Sequence, residues 1–489
     1  MQILRLVLLL LLLPVNPFSD AHVGSPDVYF EGTAGPYRLL VTIKPPAMVP
    51  GIAEVQVCVT SGAAGSIRVA PVYVNGKDQG LPPASDFLEP SAADPGWFSG
   101  KVWLMESGSW EVRLEVAGNQ GNGKLAVPVA VFARRTLPME KTLGTLLFGL
   151  MLFLAIGIVS IAGAAAREGG LQAGAIPSLR NRHLGRIAVA VTAVVVVAFL
   201  ALGNWWWNSE AANLKQRVLY SPPPLRASLS NEHGVYELTL RIEEDFWHKT
   251  RSDEWSMGLI PDHGHLLHVF LLAVPALDRF YHLHPEQASN GTFSAALPAI
   301  PAGRYQIFAD IVRGTGFPET LVSEIDLPNI EGQSFSGDDS GVATSPFGSP
   351  AAAENVAQLS GGDRMVWERG AVTLRAGQVC WLRFHIEDAE HKSVKDLEPY
   401  MGMAGHAELV RSDLSVFAHI HPAGSVPMAS LMIVEQDLGI PMDHSERHAL
   451  PAELAFPYGF PKPGDYRLFV QVKRRGQVET GVFDAHVGN

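Results

Sequence analysis

Two long apolar stretches without a single Asp, Glu, Lys or Arg constrain this chain more than any other feature. Residues 142–165 read TLGTLLFGLMLFLAIGIVSIAGAA and residues 187–207 read IAVAVTAVVVVAFLALGNWWW. Each is long enough to cross the hydrocarbon layer of a bilayer as a helix, and too long for an ordinary strand. Trp205, Trp206 and Trp207 at the end of the second suit the membrane–water interface. The pair reads as a transmembrane hairpin, with one domain before it and a larger region after it.

The first residues, MQILRLVLLLLLLPVNPFSDA, carry Arg5, an apolar run from Leu6 to Leu13, and small residues Ser19 and Ala21 ahead of His22. This is the pattern of a secretory signal over residues 1–21. Cleavage there would start the mature chain at His22, whose free amine and imidazole make a compact copper chelate. The signal fixes the expected topology. The helix at 142–165 runs inward, 166–186 is a cytoplasmic loop, and the helix at 187–207 returns outward. Arg167, Arg180, Arg182 and Arg186 against the lone acid Glu168 in that loop agree with the positive-inside rule. The expected location is the cytoplasmic (inner) membrane of a bacterium, multi-pass, with the large domains on the extracytoplasmic, periplasmic side.

The 489 residues leave room outside the membrane for about three domains of ~100 residues. Runs such as 37–43 and 53–60 alternate like strands and are punctuated by Gly, Pro and Asn. The fold class expected is mainly β with a two-helix transmembrane hairpin: three Ig-like or cupredoxin-like β-sandwich domains outside the cytoplasm. Their expected limits are 22–135, 231–330 and 363–489, with linkers at 208–230 and 331–362. The formal charge of −12 argues against nucleic acid as a partner. Cys58 and Cys380, far apart, make no disulfide framework.

The second and third β-domains carry an internal repeat. His265-Leu-Leu-His268 precedes Phe280-Tyr-His282-Leu-His284-Pro285, and Met403-Ala-Gly-His406 precedes Phe417-Ala-His419-Ile-His421-Pro422. Pro301-Ala-Gly-Arg-Tyr-Gln-Ile-Phe-Ala-Asp310 then parallels Pro463-Gly-Asp-Tyr-Arg-Leu-Phe-Val-Gln471. Tandem duplication is the plain reading. His-x-His on a strand puts both imidazoles on one face, because side chains repeat every two residues. Neighbouring imidazoles bind Cu, Zn, Ni or Fe ions, and thioethers favour copper. The candidate ligands are His263, His265, His268, His282, His284 and Asp310 in one domain, and Met401, Met403, His406, His419 and His421 in the other. Met428, Met442 and His444 lie further along. Copper is the first expectation as bound metal and zinc the second. The alternative is structural: methionines as core filler, and histidines satisfied by backbone carbonyls.

The stretches DHGHLLHVFLL, FYHLHPE and LPAIPAGRYQIFADIV, with YMGMAGHAELV, FAHIHPAG and FPYGFPKPGDYRLFVQVK, resemble bacterial exported or membrane-anchored proteins of largely unassigned function. Some of those relatives are encountered alongside copper or heavy-metal transport components. The first domain, with WLMESGSWEVRLEV, resembles YtkA-like and FixH-like β-sandwich modules of the envelope. The resemblance implies Ig-like modules and an association with metal handling.

No His-Glu-x-x-His helix, nucleophile elbow or phosphate-binding Gly loop is present, so an enzyme is the less favoured reading. The two apolar stretches carry no charge that would mark a permeation path. The functional expectation is a membrane-anchored envelope protein that binds a transition metal, copper first, as chaperone, buffer or sensor. The alternative is a non-catalytic adaptor whose β-domains contact envelope or membrane partners.

Overall fold

The computed structural model describes residues 25–74, 84–172, 174–243, 258–332, 334–349, 355–370, 373–439 and 450–489. The expected signal at 1–21, His22, Met442 and His444 lie outside these residues. The chain is mainly β with three helices among the described residues. It divides into two compact units: Arg135–Tyr220, and the remainder, in which the residues before the helices and those after them pack together.

The smaller unit contains the helices Lys141–Glu168 and Leu179–Val218, both long and apolar enough to cross a membrane. They pack on each other at Gly163 and Gly185, where a side chain on Gly163 would run into Val189 Cγ2 at 2.5 Å. Small residues at such a crossing let helix backbones approach closely. Ser178 caps the second helix by accepting from the Asn181 N–H. This helix runs on to Val218, into the expected linker at 208–230. The sequence there, NSEAANLKQRV, is mostly good helix formers with no Pro or Gly to stop it.

The larger unit holds three β-modules, each built from two antiparallel sheets. In the first, strands Tyr37–Lys44 and Gly51–Ser61 send Leu39, Val41, Ile43, Val55 and Val57 into a core shared with Val112, Leu114 and Val127 of the opposing sheet. The second and third modules repeat one topology. Strand His268–Val274 lies between Gly303–Arg313 and Arg279–Leu283, as His406–Arg411 lies between Gly464–Arg474 and Phe417–Ile420. The linker expected at 331–362 contributes to both modules. Its strand Ser340–Ala343 pairs with Arg279–His282, and Val356–Gln358 pairs with Arg364–Val366.

These two modules bury one sheet face against each other. Along His268–Val274, Val269, Leu271 and Ala273 enter the module's own core, while Phe270 and Leu272 enter a core between modules. Burial on both faces explains why this strand reads as a continuous apolar run. In the junction Phe280 stacks on Phe469 and Phe308 on Phe417, each pair 4.3 Å apart. Phe280 and Phe417 hold equivalent positions in the repeat, as do Phe308 and Phe469, so the pairs are related by a local two-fold. The fully buried Arg467 crosses the junction to donate to the carbonyls of Leu277 and Ser345.

The first module docks on the third. The Glu31 N–H donates to the Ala423 carbonyl at 2.7 Å, and the Ser425 N–H to the Tyr29 carbonyl at 2.9 Å. Helix Met428–Asp437, not expected from the sequence, adds Leu431 and Val434 to the first module's core.

Candidate metal centre

The repeat's histidines face the junction because strand alternation sends them there. Leu283 and Ile420 enter the cores of their own modules, and the histidines on either side of each point the other way. His268 sits opposite Asp310, and His406 opposite Gln471. Tight turns at Asp262-His263-Gly264-His265 and Tyr400-Met401-Gly402-Met403 lead into these strands, with matching positive φ at His263 and Met401 (50° and 49°).

Two sets of three imidazoles result, each with nitrogens within 4.8 Å of one another: His268, His282 and His284, and His263, His406 and His421. The second set crosses between modules. His263, expected to serve its own domain, lies with the third module's histidines, its ring 5.0 Å from His406 and 4.8 Å from His421.

Each imidazole in these sets has one nitrogen held by an acceptor. His268 Nε2–H donates to the Asp262 carbonyl (3.0 Å), His282 Nδ1–H to Gln471 Oε1 (2.9 Å) and His284 Nδ1–H to Asp339 Oδ1 (2.9 Å). In the second set His263 donates to the Met401 carbonyl (2.8 Å), His406 to the Tyr400 carbonyl (3.2 Å) and His421 to the Val426 carbonyl (3.2 Å). These tautomers are assigned from the network. The other nitrogens then carry lone pairs, and they face each other. His268 Nδ1 lies 3.2 Å from His282 Nε2, and His263 Nε2 lies 3.2 Å from His421 Nε2. His406 Nδ1 lies 3.0 Å from His419 Nε2, and among the described residues no hydrogen bond at His419 Nδ1 fixes the tautomer of that ring. His284 Nε2 is buried with no partner.

Opposed lone pairs repel unless something cationic sits between them. Tetrahedral ligands at Zn–N distances of 2.0–2.1 Å are roughly 3.3 Å apart, close to the spacings here. A held second nitrogen is the usual outer support of a metal-ligating histidine. The donor set therefore fits a transition ion that accepts neutral imidazole. Burial keeps five of the site's imidazoles in that neutral form. Desolvation, aided by neighbouring imidazoles, holds His268, His282, His406 and His419 well below the usual range, and His421 at about 3.

The remaining expected ligands lie around these sets. His265 is partly exposed, stacks on His284 at 4.0 Å and approaches Asp338 at 3.6 Å. Asp310 sits nearer the third module's histidines than expected, with Oδ2 3.4 Å from His419 Nδ1. Burial raises its carboxyl to about 7, and its Oδ1 accepts from Thr320. Met401 contributes its backbone carbonyl, and Met403 closes the turn with Tyr400. Met428 packs against the first module's core.

Several groups at the site carry no sequence signal as ligand partners. Asp339, half of a common acidic pair, holds His284. Tyr400 OH approaches His282 at 3.3 Å and donates to the Asp338 carbonyl. Asp262 Oδ1 accepts from the Ala429 N–H. Glu408 lies fully buried with both carboxylate oxygens unpartnered, and burial pushes its carboxyl far above the usual range. A cavity of about 160 Å³ reaches His268, His419 and His421 and is lined as well by Asp27 and Pro128 of the first module.

Residues 360–489, the third module, match the family described as a domain of unknown function (DUF8832). No curated protein matches the chain. Among solved structures, dimeric latent PorU from Porphyromonas gingivalis is similar at 9% identity and a TM-score of 0.15, covering 95% of this chain and 34% of PorU. The native conformation of E. coli alpha-2-macroglobulin is similar at 10% identity and a TM-score of 0.19, covering 97% of this chain and 23% of that one. The chain thus spans about a third of the first and under a quarter of the second. Likeness this slight carries no argument about function.

Proposed function

We propose that this is a membrane-anchored, non-catalytic envelope protein that holds transition-metal ions at the junction of two fused β-modules, where the metal braces an adaptor surface. The observation that carries the reading is the set of facing imidazole lone pairs, at 3.2 Å, inside a buried interface. Burial on this scale supports a bracing role, because a ligand enclosed by two packed modules exchanges slowly. Packing of the first module against the third supports a membrane hairpin with both ends on one side of an inner membrane.

A second reading, a carrier or sensor that exchanges copper, is favoured by the cavity that reaches His268 and His421. Imidazole donors suit copper, and zinc equally.

Full-length protein purified in detergent, loaded separately with Cu(II) and Zn(II) and then dialysed, is expected to retain about two ions per chain, one per cluster. His284→Ala is expected to remove one of them. A brace resists a strong chelator over hours, whereas a carrier releases its ion in minutes. Absence of retained metal in the unmodified protein would sink both readings.

A further inference from the structure

We propose that Glu408 is the anionic ligand of the metal held by the third module's histidines, and through His282 the link from that metal to the other cluster. This rests on the metal-binding reading above and adds a donor to it.

Glu408 lies in the middle of strand His406–Arg411, directly across from His419. Its Oε1 is 4.0 Å from His419 Nε2 and 4.0 Å from His282 Nδ1. Among the described residues, these imidazoles are its ion-pair neighbours, and neither carboxylate oxygen finds a hydrogen bond. His419 Nε2 in turn faces His406 Nδ1 at 3.0 Å. One carboxylate oxygen and two imidazole nitrogens therefore converge beside the set formed by His263, His406 and His421. His419 becomes a fourth nitrogen donor there. Across the local two-fold, His282 belongs to the first cluster, so the same carboxylate oxygen lies 4.0 Å from a ligand of each, on the His282 side at the nitrogen that Gln471 holds.

Packing does not call for an acid at this position. The equivalent residue in the second module is Phe270, across from His282. The Phe270 ring packs against the same two imidazoles, at 4.3 Å from His282 and 5.1 Å from His419. One copy fills the place with an aromatic ring and the other with a carboxylate that has no partner. A buried unpaired carboxylate is unfavourable without a cation. A divalent ion among neutral imidazoles is in turn unfavourable without an anion. Each supplies what the other lacks.

The test uses full-length protein in detergent, with Cu(II) and Zn(II) as separate probes and E408Q as the near-isosteric variant. In an H284A background, which leaves the third module's cluster intact, E408Q is expected to lower metal affinity by about 10–100-fold. In an H421A background, which leaves the other cluster, the loss is expected to be smaller. The metal-free protein should melt at the same or a higher temperature with E408Q, because burial already keeps the unpartnered Glu408 carboxyl neutral there and Gln matches its shape. A residue that merely supported the fold would instead lower the metal-free melting temperature. Equal affinity of the H284A protein with and without E408Q, or a metal-free melting temperature lowered by E408Q, would overturn the proposal while leaving the metal-binding reading intact. If the unmodified protein retains no metal, both fail together.

Discussion

At the scale of single residues, the centre depends on imidazoles kept neutral by burial, and this gives metal-free protein a definite response to acid. In the unfolded chain histidine titrates near 6.5, whereas in the fold His268, His282, His406 and His419 lie well below that and His421 at about 3. Between those values the unfolded chain binds more protons, so stability falls as pH drops below about 6.5. For His421 the loss at pH 5 is on the order of 2 kcal/mol. Asp310, raised from 3.8 to about 7, and Glu408, also raised, act in the opposite sense. Their contribution is present at low pH and fades as pH rises through the folded values. The imidazoles outnumber these carboxyls, so the melting temperature of metal-free protein is expected to fall between pH 6.5 and 5. A flat or rising melting temperature over that range would mean that the histidines are not held neutral. Of these residues, the paired histidines were legible, because a two-residue period sends His282 and His284 to one face. Glu408 was not: one acid in an apolar strand looks like a solvent-facing position until a second sheet covers it. Asp339 was hidden for the converse reason, being half of a common acidic pair in a Gly- and Ser-rich stretch.

At the scale of elements, the two stacked phenylalanine pairs of the junction hold the two histidine strands at working distance. Replacing Phe308 with Ala removes a ring stacked on Phe417 and is expected to cost about 3–5 kcal/mol. Metal retention should fall at both clusters, because His282 depends on Gln471 of the other module and His263 on the Met401 carbonyl. Val116→Ala, in the first module's core, should lower stability without that loss, and melting curves alongside metal content separate the two. Retention unchanged in Phe308→Ala would show that the modules need no junction to bind. The apolar helices were readable from length and lack of charge. Helix Met428–Asp437 was not, since Ala429, Ser430, Leu431 and Val434 are buried on a segment too short to show a clear period. The short strands at 340–343 and 356–358 were likewise masked by loop-like composition.

At the scale of the whole molecule, the contact between the first and third modules brings first-module residues into the lining of the cavity beside the histidines. Gly424 permits it. Its φ is +123°, and a Cβ there would lie 1.9 Å from the Tyr29 carbonyl oxygen. Gly424→Ala is therefore expected to lift strand Val28–Ala34 away, read as lost hydrogen-exchange protection at the Glu31 amide while strand Tyr37–Lys44 keeps its own. Unchanged protection at Glu31 would contradict the docking. The mainly β character could be read from strand alternation and turn residues. The mutual packing of the modules could not, because it joins residues hundreds of positions apart through surfaces that look like ordinary strand faces.

Fusing the two copies of the repeat has a consequence for how such a centre diverges. In a homodimer every change at the axis appears twice, so an acid at the Glu408 position would face its own duplicate across a few ångströms. Here Phe270 and Glu408 occupy the equivalent places independently, as do His263 and Met401. The tether also fixes the local concentration of one half around the other, so assembly of the pair is insensitive to dilution. Covalent linkage thus frees each half to specialise without giving up its partner.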